Sequence, residues 1–303
     1  MVGDPLHERK TSMSDTPTSP KVSVILSSYN YAHYIARAID SVLSQSYQDF
    51  ELIIVDDGSE DESVAIINDT IAKASQAITL LQQENQGQAS TWNAALECAQ
   101  GDYIFFLDSD DYWYPEKLEC MVYCMERHPE AALFQHPLDG EDRPSTQIGQ
   151  GDIFNAWQQG GETFNIAARG PELAVFVPST GLSAPRAILE KIFPIPTALI
   201  TCPDAYLTRT AITHGPVIAH PQALGHWNNH AQNAGKDTQY GMHQFWLPTI
   251  MPLLNTYYTT HNLPFQLAYR PTNLRDRLRY TLTQHPTLFK LLQPLHRLLS
   301  RAK

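Results

Sequence analysis

Between Val22 and Leu107 the chain alternates short, continuous apolar runs with longer stretches in which apolar residues recur every three or four positions. The runs Val22-Ser23-Val24-Ile25-Leu26, Phe50 to Val55, Ile78-Thr79-Leu80-Leu81 and Tyr103 to Leu107 have the pattern of strands covered on both faces. Between them, Tyr34 to Gln45 places Ile35, Ala38, Ile39, Val42 and Leu43 on one helical face. Ser59 is positioned to cap a helix over Asp61 to Ala74, and Ala89 to Ala99 forms a helix that stops at Gly101. Strands separated by helices of about 10 to 15 residues require crossover connections. Such crossovers are right-handed and build a mostly parallel sheet with helices on both faces, a doubly wound α/β fold.

The rest of the pattern is less regular. Met1 to Pro20 is polar, rich in Ser, Thr and Pro, and reads as a disordered leader. From His136 to Ala174 periodicity gives way to Gly, Gln and Asp, as in loops or short strands over a binding face. Regular structure is expected again at Ala174 to Val177, as short helices at Ala187 to Ile192 and Ala205 to Thr213, and as amphipathic helices at Phe245 to Tyr257, Leu274 to Leu282 and Leu288 to Leu299.

Composition narrows the function classes. A 303-residue chain that is 43% hydrophobic can bury a substantial core. The net charge of −11, with no nucleic-acid-binding motif, argues against a nucleic-acid partner. The charge is uneven: Arg270 to Lys303 carries eight basic residues against Asp276 alone. This basic tail fits peripheral contact with an anionic membrane or packing on the body of the protein. No apolar run is long enough to span a bilayer. Cys98, Cys120, Cys124 and Cys202 form no CxxC pair and read as reduced thiols, which suits a cytoplasmic location, with the inner membrane face as a peripheral option.

Two of the strand candidates end in acids. Phe50 to Val55 runs into Asp56-Asp57-Gly58-Ser59, and Tyr103 to Leu107 into Asp108-Ser109-Asp110-Asp111. Turn formation or helix capping accounts for one acid at such a place, but not for three in four residues. In open α/β sheets the ligand crevice lies outside the carboxyl ends of the strands. Carboxylates gathered there call for a hard divalent cation, magnesium or manganese, holding a phosphate.

The segments Val22 to Asn30, Val55 to Ser59, Asn85-Gln86-Gly87-Gln88 and Leu107 to Asp111 together resemble the ordered signature of family 2 glycosyltransferases with the GT-A fold. The resemblance covers Lys21 to Asn233. It implies a nucleotide-binding half at 21–111 and an acceptor half at 112–239, while the amphipathic, basic pattern of 240–303 reads as a helical extension. It also implies an inverting enzyme that moves a sugar from a nucleotide diphosphate sugar to a glycan or lipid-linked acceptor, with manganese or magnesium on the diphosphate. Surface polysaccharide assembly is the usual setting.

Carried over position by position, Asp110 resembles the metal-binding aspartate, with Asp108 as the other acid of the Asp-x-Asp motif, nearer the ribose or a metal-bound water. Asp111 is expected to cap the following turn. Asp57 matches the residue that accepts a hydrogen bond from the donor base. Ser27 and Tyr29 match the loop beside the base, Tyr29 being alternatively a core aromatic. Gln88 and Asn93 are expected near the diphosphate or ribose, and Thr180 to Ser183 in the acceptor pocket. Asp204 resembles the general base, or else caps its helix. His230 resembles the histidine placed near the metal, or is a surface residue. The chain departs from the pattern mildly at Ser27-Ser28 and at Asn228-Asn229, where an Arg is usual, and its departures at Trp92 and Pro203 keep open a catalytically silent sugar-nucleotide-binding module. A dinucleotide oxidoreductase is disfavoured because no GxGxxG turn follows the first strand, and a nucleotidyltransferase because no Gly-rich basic loop does.

Overall fold

The computed structural model describes residues 20–140, 177–228, 230, 245 and 248–263. In chain order the elements are β1 (Val22–Ser28), α1 (Ile35–Leu43), β2 (Phe50–Asp56), α2 (Ser63–Ile71), β3 (Ile78–Gln82), α3 (Gln88–Cys98), β4 (Tyr103–Asp108), β5 (Tyr112–Trp113), α4 (Lys117–Arg127) and β6 (Leu133–Gln135). After a single 3-10 turn at Ser179–Gly181 come β7 (Leu182–Pro185), α5 (Arg186–Ile192), α6 (Pro203–Ala211), β8 (Val217–Ala219), β9 (Gly225–His226) and α7 (Met251–Thr260).

Seven strands form one sheet in the order β3-β2-β1-β4-β7-β6-β8, parallel at every junction except the two made by β7. β5 and β9 pair antiparallel as a separate ribbon. The uninterrupted apolar runs are explained by cover on both sides. Ile25, Ile53, Ile104 and Phe106 point into a core shared with α3, α5, α6 and α7, whereas Val24, Leu26, Leu52, Ile54, Phe105 and Leu107 point into one shared with α1 and α4. Trp92, one of the departures from the family pattern, is buried in the first core and stacks on Phe106 at 4.2 Å between centroids. Its role is packing, and truncating a buried aromatic of this kind costs about 3–5 kcal/mol.

The first half follows the expected layout, with shifts that matter. β1, β2 and β4 run on to Ser28, Asp56 and Asp108, so these polar residues end the strands and do not belong to the loops beyond. α4 was not among the expected elements, although Leu118, Met121, Val122 and Met125 all face the core at helical spacing; Cys120, Tyr123 and Cys124 between them blur the stripe. Leu182 and Ser183, expected in the acceptor pocket, instead belong to β7 inside the sheet, where Ser183 pairs with Phe105. The helix expected at Phe245 to Tyr257 is realised as α7, which starts later, with Pro252 in its first turn. Of the regular structure expected at Ala174 to Val177 only Val177 is described, and the leader and the helices at Leu274 to Leu282 and Leu288 to Leu299 lie outside the described residues.

Candidate active site

β1 sits between β2 and β4, the point at which the chain, having built outward to β3, returns to the other side of the sheet. The parallel register sets Ser28 beside Asp56 and Ser27 beside Asp108. Both acid-bearing strand ends therefore open onto one crevice at a topological switch point.

The acid loop after β4 is held from several elements. Asp108 accepts hydrogen bonds from Gln88 Nε2 at 2.7 Å and from the Ser179 hydroxyl. Asp111 accepts from the Thr180 hydroxyl and from the Asn228 backbone N–H at 2.7 Å. It is buried, and it braces the loop against two distant segments, so it does not play the expected role of capping the next turn. Asp110 meets His230, whose Nε2 lies 2.9 Å from Oδ2, and also accepts from the Tyr31 hydroxyl. His230 stacks on Tyr34 at 4.8 Å and meets Tyr31 edge-on at 5.7 Å. The two tyrosines were not singled out in the sequence; the cluster of aromatics just after β1 was the available signal.

The loop carrying those tyrosines is fastened to the second acid segment. Asp56 accepts from the Ser59 N–H and hydroxyl, the Ser59 hydroxyl accepts from Asn30 N, and Asp61 accepts from Ala32 N. Ser27 exchanges a 2.8 Å hydroxyl contact with Thr91 at the start of α3, whereas Tyr29 is 41% exposed and hence no core aromatic. Asp57 turns away from this loop. Its Oδ1 accepts from Gln83 Nε2 at 2.6 Å and Gln86 N at 2.9 Å, and its Oδ2 from Gly87 N at 2.8 Å. Gly87, at φ 88°, is pressed against Ile200, and Gln88 N donates to Ile200 O at 2.9 Å. The first amides of α3 are thus taken up by Asp57 and by the Ile200 carbonyl.

Asn93 takes no part in this cluster. Its amide makes a two-way pair with the backbone of Ile195, 2.8 Å in each direction, so it holds the turn that leads from α5 toward α6 and does not reach for the ribose or diphosphate. Beyond that turn, Cys202 adopts a left-handed conformation at φ 54°, and Pro203-Asp204 begin α6. Asp204 Oδ1 accepts from the Ala205 N–H at 2.9 Å, the contact of a residue within the first turn. Its charge also raises the Asp108 carboxyl, behind the larger effects of burial and of Asp110.

Gathering these acids has an electrostatic consequence. Burial and then the neighbouring Asp110 push the Asp108 carboxyl up to about 7, against the hydrogen bonds from Ser179 and Gln88. Asp110 and Asp111 are raised chiefly by burial, His230 pulling Asp110 back. Asp204 is raised by burial, with Ala205 N–H and Arg209 opposing. Among the described residues no group of three or more His, Cys, Asp or Glu side chains is arranged to hold a metal ion. The donor chemistry at Asp110 and His230 nevertheless fits a divalent cation: a carboxylate oxygen and an imidazole nitrogen adjoin, with further buried carboxylates behind them. A cation held by one or two protein ligands completes its shell with substrate phosphates.

A family model described as Glycosyl transferase family 2 matches residues 23–193, from β1 to the end of α5. An uncharacterized glycosyltransferase of Nostoc sp. is 38% identical over 178 residues, 58% of this chain and 54% of the relative. A UDP-Glc:alpha-D-GlcNAc-diphosphoundecaprenol beta-1,3-glucosyltransferase of Escherichia coli is 42% identical over 105 residues, 35% of this chain and 41% of the relative. The chain thus spans about half or less of the length of these relatives. Among solved structures, S. aureus TarS in complex with UDP-GlcNAc superposes with a TM-score of 0.62 at 22% identity, covering 78% of this chain and 66% of that one. A Pyrobaculum calidifontis mannosyltransferase in complex with GDP-Man and Mn2+ does so with a TM-score of 0.58 at 18% identity, covering 94% and 79%. These likenesses place the sheet and its flanking helices in the GT-A fold. With more than half of its residues matched by the family model, and the acid loops inside the matched segment, the chain belongs to glycosyl transferase family 2.

Proposed function

We propose that this protein is an inverting glycosyltransferase that moves a sugar from a nucleotide diphosphate sugar to a hydroxyl of a glycan or lipid-linked acceptor. The observation that carries this reading is the pairing of Asp110 with His230 beside the anchored Asp108, at the crevice on the switch point of the sheet. In this reading Asp110 and His230 hold a divalent cation, which when bound neutralises the charge that develops on the departing diphosphate. Asp108, anchored by Gln88 and Ser179, sets the floor of the donor site, and the exposed ring of Tyr29 is available to stack on the base. Asp204 takes the proton of the acceptor hydroxyl as it attacks. Burial raises its carboxyl above the usual range, toward the pH at which a base is most effective. The lipid-linked substrate named for the E. coli relative supports an acceptor of that class, and the nucleotide-bound neighbours, which hold uridine and guanosine diphosphate sugars, leave the donor base to experiment.

Calorimetric titration of UDP, GDP and dTDP into the wild type and Asp110→Ala, with and without manganese, tests the reading. Manganese-dependent binding of one nucleotide that is lost in the variant is the expected result. No binding of any of the three would overturn it.

A further inference from the structure

Lys117 is the most unusual charged residue of the described chain. It opens α4, yet it is 0% exposed, and lysine is almost never so buried without a partner. A cation at a helix N-terminus also opposes the helix dipole. Burial pushes its amine well below the ordinary lysine range, and an apolar residue of similar length would avoid these costs, so the nitrogen serves something that packing does not.

Its surroundings show what that is. Lys117 Nζ donates to the Thr180 carbonyl at 2.6 Å and lies 3.6 Å from the centre of the Trp113 ring. Trp113 Nε1 donates to the same carbonyl at 3.0 Å, so Thr180 O accepts two bonds from the segment just after the acid loop. This carbonyl lies in the Ser179–Gly181 turn, whose Ser179 hydroxyl holds Asp108 and whose Thr180 hydroxyl holds Asp111. The Asp108 N–H in turn donates to Thr180 Oγ1 at 3.3 Å. Two of the three carboxylates are thereby drawn back onto one turn, and Asp110 is left directed toward Tyr31 and His230.

We propose that Lys117 and the Thr180 it holds form a positioning pair for the donor site, fixing Asp108 and Asp111 so that Asp110 faces the nucleotide diphosphate. This rests on the glycosyltransferase reading of the acid loop. Neither residue touches the donor; each acts through the carboxylates. Their loss should therefore lower donor affinity in addition to its cost in folding. Groups that orient metal ligands from behind typically contribute about 10–100-fold in metal affinity or activity.

The test is calorimetric titration of UDP, GDP and dTDP with manganese into wild type, Lys117→Met, Thr180→Val, Thr180→Ser and the Lys117→Met/Thr180→Val double variant, with thermal unfolding of each. Lys117→Met and Thr180→Val should each weaken binding of the preferred nucleotide by about 10–100-fold at temperatures where they are folded. Thr180→Ser, which keeps the hydroxyl, should bind like wild type. The double variant should be no weaker than the weaker single one, because both act along one chain of contacts. Wild-type affinity in Lys117→Met overturns the proposal. If that variant does not fold, the Thr180 pair decides: weak binding by valine with recovery by serine supports the route, and unchanged binding by valine overturns it. A wild type that binds none of the nucleotides removes the donor-site reading and this proposal together, whereas a binding wild type with unaffected variants removes this proposal alone.

Discussion

Asp57→Asn changes one oxygen for an amide group, and the structure says what that costs. The carboxylate is 4% exposed and accepts three hydrogen bonds, from Gln83 Nε2, Gln86 N and Gly87 N. The less damaging orientation of the new amide keeps its oxygen toward Gln83 and Gln86 and turns its NH2 toward Gly87 N, donor against donor. Leaving that buried N–H without an acceptor costs about 1–3 kcal/mol, and converting the other two bonds from charge-assisted to neutral removes about 1 kcal/mol each. The sum is a destabilisation of about 3–5 kcal/mol. The damage should not stay local, because the same turn sets Gly87 against Ile200 and so joins the start of α3 to the segment leading into Asp204. Equilibrium unfolding in urea of wild type and variant, compared at equal m-value, measures the difference directly. A variant within about 0.5 kcal/mol of wild type, the range of an ordinary surface substitution, would refute the reasoning. If such a variant lost only nucleotide affinity, Asp57 would serve the ligand and not the loop.

Other substitutions separate folding from function in different ways. Asp204→Asn should abolish sugar transfer and yet stabilise the protein at neutral pH. The folded-state pKa of Asp204 is raised by burial, so its ionisation favours the unfolded chain above the unfolded value of 3.8. The stability gain of the variant should therefore be absent in acid and grow as pH rises through the folded value; unfolding midpoints that track wild type at every pH would contradict this. Tyr29→Ala should leave stability within about 0.5 kcal/mol, since the ring is 41% exposed, and should weaken nucleotide binding by about 1–3 kcal/mol, the worth of a stacked base. Equal affinity by calorimetry would exclude the stacking role. Gly87→Ala would set a Cβ 2.4 Å from Ile200 Cα and hold a non-glycine residue at φ 88°. The backbone strain alone is about 1–3 kcal/mol, so the urea midpoint should fall clearly, and an unchanged midpoint would mean that the α3 junction yields freely.

Local pattern was enough for the first half of the protein. Apolar runs such as Leu52 to Val55, separated by helical stripes such as that of α1, have few solutions other than a parallel sheet covered on both faces, because each residue of such a run must be buried on one side or the other. Acids at the ends of β2 and β4 marked the crevice, since strand ends at a switch point are brought together by topology alone. Chemistry at a distance was not legible. Asp56, Asp57, Asp108, Asp110 and Asp111 look alike in sequence, and only the fold makes Asp57 an anchor for the Gln83 to Gly87 loop, Asp111 a brace for Thr180 and Asn228, and Asp110 the partner of His230. Asn93 was expected beside the ribose or diphosphate because its segment resembles the family's, but the Ile195 backbone, 102 positions away, claims its amide. Tyr31, Tyr34, Ser179 and Lys117 acquire their roles only through residues far along the chain. The sequence determines which segments are buried and which ends carry charge, because burial follows from local periodicity. Tertiary structure decides which charged group meets which partner, because a hydrogen bond acts over about 3 Å and is blind to the number of residues between its ends.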